Sequence, residues 1–285
     1  MKKAMKWLYA SAIQFLESCV SLVSVLLFSK SGVNRAFKKI RKTVLPEDTC
    51  YILCNGPSLK TFLEKGEYPQ KGMFVVNMFA FSPYFQKLKP DNYIVADQSM
   101  CGRAKPDYQG EVDKVYAIIN SVDWDINMFF PSDTSRDFVN RVITSPRVHV
   151  VYYNRTPVKG YKSISHFLFR NNMGMPLPQN ISNAAVFVSI NAGYRKVYLY
   201  GVEHSWLKNF ECNPETHKLF MNDGHFYREE EMRYFEKGDY CNWLKYIHDA
   251  MKSHFELRDY ADDEGVKVIN KTDYTFVEAY EFEDY

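Results

Sequence analysis

Cys50-Tyr-Ile-Leu-Cys-Asn-Gly-Pro-Ser-Leu-Lys60 is the stretch on which the reading of this chain turns. Tyr51 to Cys54 suit a buried strand and run straight into Asn55-Gly56-Pro57-Ser58. A strand that passes at once into a helix is the opening of an α/β unit. Gly56 lets backbone approach a ligand closely, and Pro57 fits the first helical position, where its missing N–H is not needed. A helix from about Ser58 would aim its free N–H groups and positive dipole end at whatever sits above the strand, and phosphate is the commonest such guest. Asn55 carries an amide that both donates and accepts, which suits a sugar hydroxyl or a base edge. On these residues alone, a plain strand-to-helix turn without a ligand stays open.

Working outward, Met73-Phe-Val-Val-Asn77 reads as a second buried strand, Asn92 to Asp97 as a third and Lys114 to Ile119 as a fourth. Arg147–Tyr153, Lys196–Tyr200 and Val266–Asn270 continue the series. In a parallel sheet ligands sit at the carboxyl ends of strands, so Asn55, Asn77 and Asp97 are expected to converge on one crevice. Phe81–Leu88, Tyr161–Arg170 and Asp239–Glu264 read as helices. Asn180 or Ser182 caps another, Asn183–Ala192, which Gly193 ends. Leu207–Tyr227 reads as a long loop and the best candidate for a mobile lid, with the lid region taken as about 207–238. Glu278–Tyr285 reads as a solvated tail. Residues 44–285 are thus expected to form an α/β domain with a mainly parallel sheet.

The 285 residues are 46% apolar and 16% aromatic, ample for a core. The net charge of +2 hides an asymmetry: residues 1–46 hold nine Lys/Arg against the single acid Glu17, leaving 27 basic and 33 acidic residues elsewhere. The basic character is N-terminal, which argues against a nucleic-acid-binding body. Six scattered cysteines show no zinc spacing and read as reduced thiols, with no metal site. Asp97 alone does not make a magnesium site. Trp7–Phe28 is apolar and long enough to span a bilayer, but Ser11, Gln14, Ser18 and Ser21 recur at helical spacing as a weakly polar stripe. Residues 1–43 are therefore read as a membrane-associated helix plus a basic patch, with residues 7–42 meeting the membrane surface and the body on the cytoplasmic face. In-plane, re-entrant and spanning arrangements all stay open, as does a helix packed on a soluble domain. The basic run after Phe28 replaces the small-residue cleavage site of a signal peptide.

Cys54-Asn-Gly-Pro-Ser-Leu-Lys60, the strand ending at Asn77, Gly193-Tyr-Arg-Lys-Val-Tyr-Leu-Tyr-Gly-Val-Glu203 and Gly265-Val-Lys-Val-Ile-Asn270 occur in that order. Together they resemble the small bacterial sialyltransferases of the Campylobacter lipooligosaccharide type. They also resemble a broader group of 6-hydroxymethylpterin diphosphokinase-like and surface-polysaccharide biosynthesis proteins, over about residues 50–282. The resemblance implies a single Rossmann-like domain binding a CMP-sugar, a lid over the donor, and inverting transfer without metal or bound cofactor. It implies donor contacts at Asn55, Asn77, Asn180 and Ser182 and at the lid tyrosine Tyr227; the strand-end and turn positions Gly56, Pro57, Ser58, Asp97, Gly201 and Glu203 complete the expected donor site. It makes His225 the general base, a role open to a histidine near its ordinary pKa of about 6.5. Two departures stand out: Cys54 replaces the family's usual glycine, and His204-Ser205-Trp206 replaces an aromatic stretch with a phosphate-contacting tyrosine. His204 is thereby a second catalytic candidate.

Three functions follow as expectations. One is a glycosyltransferase with a nucleotide-sugar donor and a glycan or glycolipid acceptor. The second is a pterin-type pyrophosphokinase using ATP and Mg²⁺, although no P-loop is present. The third is a non-catalytic nucleotide-binding protein. A homo-oligomer is an open alternative.

Overall fold

The strand predicted at residue 50 forms the middle of a large sheet in the computed structural model, which describes residues 2–283 apart from 46, 67, 226 and 227. In chain order the elements are α1 (Lys2–Phe28), α2 (Val33–Arg41), β1 (Thr49–Leu53), α3 (Leu59–Lys65), β2 (Met73–Val76), α4 (Tyr84–Leu88), β3 (Asn92–Ile94), α5 (Pro106–Asn120), β4 (Ile126–Pro131) and α6 (Arg136–Val142). They continue with β5 (Val148–Tyr153), α7 (Lys162–Arg170), α8 (Ile181–Ala192), β6 (Lys196–Tyr200), β7 (Phe210–Cys212), β8 (Leu219–His225), β9 (Arg228–Tyr234), α9 (Asp239–Asp263), β10 (Lys267–Asn270) and β11 (Glu281–Phe282).

Eight strands form one sheet in the order β11-β10-β6-β1-β2-β3-β4-β5, and every pairing in it is parallel. The chain runs outward from β1 to β5, then returns across the sheet to β6 on the other side of β1. Strand order reverses there, and a crevice opens at such a point. With right-handed crossovers, α3, α5 and α6 cover one face, while α8 and α9 cover the other. The central strands are apolar on both sides: β2 is buried throughout, as expected for a sheet with helices on both faces. Every residue of α8 from Ser182 to Ala192 is buried. This helix starts with a capping box between Asn180 and Asn183 and ends at Gly193 with φ 109°, as its sequence predicts.

Three sequence expectations are corrected. Lys114–Ile119 is the last part of α5, not a strand: Pro106 starts the helix, and Val112, Val115, Tyr116 and Ile119 bury one helical face. The fourth strand is Ile126–Pro131. The described residues of 207–227 are not a long loop, since β7, β8 and β9 make a separate antiparallel sheet. Phe210 anchors it, with its ring 5.2 Å from that of Phe235 and 5.0 Å from that of Tyr240. Nor are residues 278–283, the described part of the stretch expected to be a solvated tail, free of the body. β11 pairs with β10, and Ala279 and Tyr280 are buried.

Tyr280 inserts under the sheet edge and its hydroxyl lies 2.9 Å from His254 Nδ1. Tyr280→Ala is expected to cost about 3 kcal/mol or more, from the cavity and the orphaned imidazole. Urea unfolding at pH 7 measures it; a loss below about 1 kcal/mol would return residues 278–283 to the status of a tail.

Candidate functional site

The turns that follow β1, β2, β3 and β6 line one cavity of about 420 Å³ at the carboxyl ends of these strands. Asn55, Gly56 and Pro57 come from the first turn, Asn77 and Asp97 from the next two, and Gly201, Glu203 and His204 from the fourth. Asn180 and Ser182, at the start of α8, join them. Ser58 is not among the residues that line the cavity. Tyr227 lies outside the described residues. His225 ends β8, and its side chain also lies outside them.

The floor forms because the turns after β1 and β6 continue to pair beyond their strands. Cys54 N–H donates to Tyr200 O at 2.9 Å, and Gly56 N–H to Gly201 O at 3.1 Å. Ser58 N–H then donates to Glu203 Oε1 at 2.7 Å. The turn that was expected to offer its N–H groups to a phosphate is therefore filled by the chain's own carboxylate. A Cβ on Gly56 would lie 1.5 Å from Glu203 Oε2, so glycine is required for this approach. Burial pushes the Glu203 carboxyl above the usual range, while the Ser58 hydrogen bonds act in the opposite direction. Asn55 Nδ2 donates to Val76 O at 3.3 Å, whereas Asn55 Oδ1 and Ser58 Oγ are buried without a partner among the described residues.

The next two strand ends tie each other down. Asn77 adopts φ 45°, a left-handed conformation that asparagine tolerates. Its Oδ1 accepts from Ala96 N–H at 3.1 Å and Asp97 N–H at 3.3 Å. Asp97 Oδ1 accepts from the backbone and hydroxyl of Ser99 at 2.8 and 2.7 Å. These oxygens are committed to the fold, and what Asn77 has left to offer a ligand is its amide nitrogen.

A chain of polar groups runs behind the cavity. Ser182 Oγ donates to Asn180 Oδ1 at 2.9 Å and lies 3.2 Å from both His204 Nε2 and His254 Nε2. With its proton given to Asn180, Ser182 Oγ accepts from both imidazoles, and the Tyr280 hydroxyl donates to His254 Nδ1. This assigns the Nε2–H tautomer to both rings. His204 Nδ1 is then a bare acceptor, buried and without a partner among the described residues. Burial pushes the His204 pKa down to about 3. Burial, with His204 beside it, holds His254 well below the usual range. His204 has φ 47°, and its ring stacks on Trp206 at 4.4 Å.

Sequence reasoning missed the α9 wall of Trp243, Tyr246, Ile247 and Ala250. Their helical spacing was a visible signal, but nothing local tells which face of a helix meets a cavity. It also missed His254, which reads as structural, yet joins Ser182 across 72 positions. Among the described lining residues the charged groups are Asp97 and Glu203, and none is Lys or Arg. Arg233 stands close by, its guanidinium 5.3 Å from the Trp243 ring centre. The arrangement offers amides, carboxylates and aromatic faces, the groups that hold sugar hydroxyls and bases. No protein-family model matches the chain, and no curated protein matches it.

The neutral imidazoles have a pH consequence. The unfolded chain takes up protons near the ordinary histidine value of about 6.5. The folded His204 resists protonation down to about 3. The stability due to it is complete above about pH 6.5 and is lost as pH falls, by up to about 1.4 kcal/mol per pH unit. Between pH 7 and 5, urea midpoints are expected to fall more steeply for the wild type than for His204→Gln. Parallel falls would mean that His204 protonates freely in the folded chain.

Proposed function

We propose that this chain is a membrane-associated glycosyltransferase with a Rossmann-like domain. It transfers a sugar from a nucleotide donor, CMP-linked, to a surface-glycan or glycolipid acceptor on the cytoplasmic face of the inner membrane. Transfer inverts the anomeric centre and uses no metal. The observation that carries this reading is the cavity at the strand-order reversal, where Asn55, Asn77, Gln179 and Asn180 meet the aromatic rings of Trp206, Trp243 and Tyr246. A cavity of about 420 Å³ suits a ligand of that class.

In this mechanism the amides of Asn55 and Asn77 hold the nucleoside. Glu203, already bonded to Ser58 N–H, shapes the floor and keeps the phosphate away from the Gly56 turn. Arg233, from β9, is the cation assigned to the phosphate, and 207–238 act as the lid. His225 takes the acceptor hydroxyl proton as that oxygen attacks the anomeric carbon. The bond from that carbon to the phosphate oxygen breaks, and its electron pair leaves with CMP. His204, with a pKa near 3, is a poor proton carrier at neutral pH, so a hydrogen-bonding role suits it better.

Thermal shifts of the full chain with CMP, UDP, GDP and ATP, each with and without Mg²⁺, test the donor. CMP at about 100 times its Kd is expected to stabilise by about 2.7 kcal/mol without Mg²⁺. Arg233→Ala is expected to weaken that response, and His225→Ala to keep it while losing sugar transfer. A response to ATP with Mg²⁺ alone would promote the pyrophosphokinase, and silence with every nucleotide would sink the transferase.

A further inference from the structure

Helix α1 is amphipathic in the unusual sense: its serines face the body, with Ser18 and Ser21 buried, and its apolar face is bare. Tyr161 N–H donates to Ser18 Oγ at 2.9 Å, and the Tyr161 hydroxyl donates to Ser11 O at 3.0 Å. Ser21 Oγ donates to Lys159 O at 3.0 Å and accepts from Lys159 N–H at 2.8 Å. Immediately after the helix, Ser29 Oγ donates to Met173 O and lies 2.8 Å from Thr156 Oγ1. Gly160, with φ 106°, lets the loop lie flat on the helix: a Cβ there would come within 2.2 Å of Ser18 Oγ and 2.7 Å of Gln14 O. On the other side Leu26 is 80% exposed, Tyr9 71%, Leu27 69%, Val20 65% and Leu16 62%. A helix packed on a soluble domain buries its apolar stripe instead. An apolar face of this extent marks a contact with something apolar.

We propose that α1 lies in the plane of one anionic membrane leaflet, its serine stripe fastened to the body and its apolar face among the acyl chains. This rests on the membrane reading above and settles its geometry. From Ser11 to Ser29 the seam runs about 27 Å along the helix axis, nearly the depth of a hydrocarbon core. A spanning α1 would have to carry the seam with it. The loop at 156–161, tied to α1 by serine hydroxyls and to Met175 by two backbone hydrogen bonds, would then enter hydrocarbon although it is neither helix nor barrel strand. Glu17, Lys159, Lys162, Lys252 and Glu256 line a hollow beside the seam and would be carried in too. An in-plane helix leaves all of these in water. The charge pattern chooses the lipid: exposed Lys3 and Lys6 precede the apolar face, and exposed Lys30, Lys38, Lys39 and Lys42 follow it.

The test uses the full chain in a bacterial host, with the exposed Cys19 and Cys241 replaced by serine. One version keeps Cys212 to report the body; the other carries C212S with Lys3→Cys to report the helix start. A membrane-impermeant maleimide is applied to spheroplasts and to inverted inner-membrane vesicles. Both cysteines are expected to label in inverted vesicles and to be protected in spheroplasts. Labelling of the two from opposite sides would overturn the in-plane helix while leaving membrane attachment intact. Recovery of the protein in the soluble fraction would overturn the membrane reading itself, and this proposal with it. Flotation supplies the lipid arm: the chain is expected to float with phosphatidylglycerol vesicles and to remain at the bottom with pure phosphatidylcholine. Equal flotation with both would overturn the anionic preference.

Discussion

The cavity exists because two turns pair where two strands have stopped. β1 and β6 are neighbours in the sheet, and their ladder runs on through Cys54, Gly56 and Ser58 into Glu203. Hydrogen bonding of that kind needs backbones closer than side chains normally allow. Gly56 and Gly201 supply the room, and a Cβ on Gly201 would lie 2.6 Å from Cys54 O. The result is a hydrogen-bonded floor at the place where strand order reverses. The polar ends of β2 and β3 and the start of α8 are then arranged around it. Buried Glu203 is tolerated because a backbone N–H meets its carboxylate.

Behind that floor the polar groups are joined, not scattered. Asn180 caps α8 and accepts a hydrogen bond from Ser182, Ser182 Oγ accepts one from each imidazole, and Tyr280 closes the far end. An unpaired imidazole at such depth would be costly, and a joined set holds each ring in one tautomer and one orientation. The acceptor left over, His204 Nδ1, is on the ring that also lines the cavity. The site is thus preorganised by neutral contacts, while its charges are carboxylates at the floor and rim.

Much of this was legible in the sequence, and the failures share one cause. Asn55, Asn77 and Asp97 were readable because each ends an apolar run, and a parallel sheet brings such ends together without further information. The cap at Asn180 and the stop at Gly193 were readable for local reasons. Lys114–Ile119 misled because six apolar-rich residues fit a buried strand as well as one side of a helix. The start of that helix, Pro106, lies too far back to be weighed with them. The small sheet at 207–238 was hidden by turn residues, which also occur between short antiparallel strands. His254, Trp243 and Tyr246 could not be assigned, because their partners come from other elements and helical spacing does not say which neighbour a face will meet. The serine stripe of α1 was visible, but its partner at 156–161 was not.

Tyr280 has a consequence for how the protein is made. A ribosome delivers β1 early, and β1 to β5 can pair as they emerge, but β6 must wait for the long return across the sheet. Even then His254 lacks its last hydrogen-bond donor until β11 has been synthesised and has docked on β10. The nascent chain therefore carries a nearly complete scaffold around an unfinished centre. A C-terminal edge strand left undocked would therefore leave the imidazoles behind the cavity without their last support, although β11 is the final strand to be made.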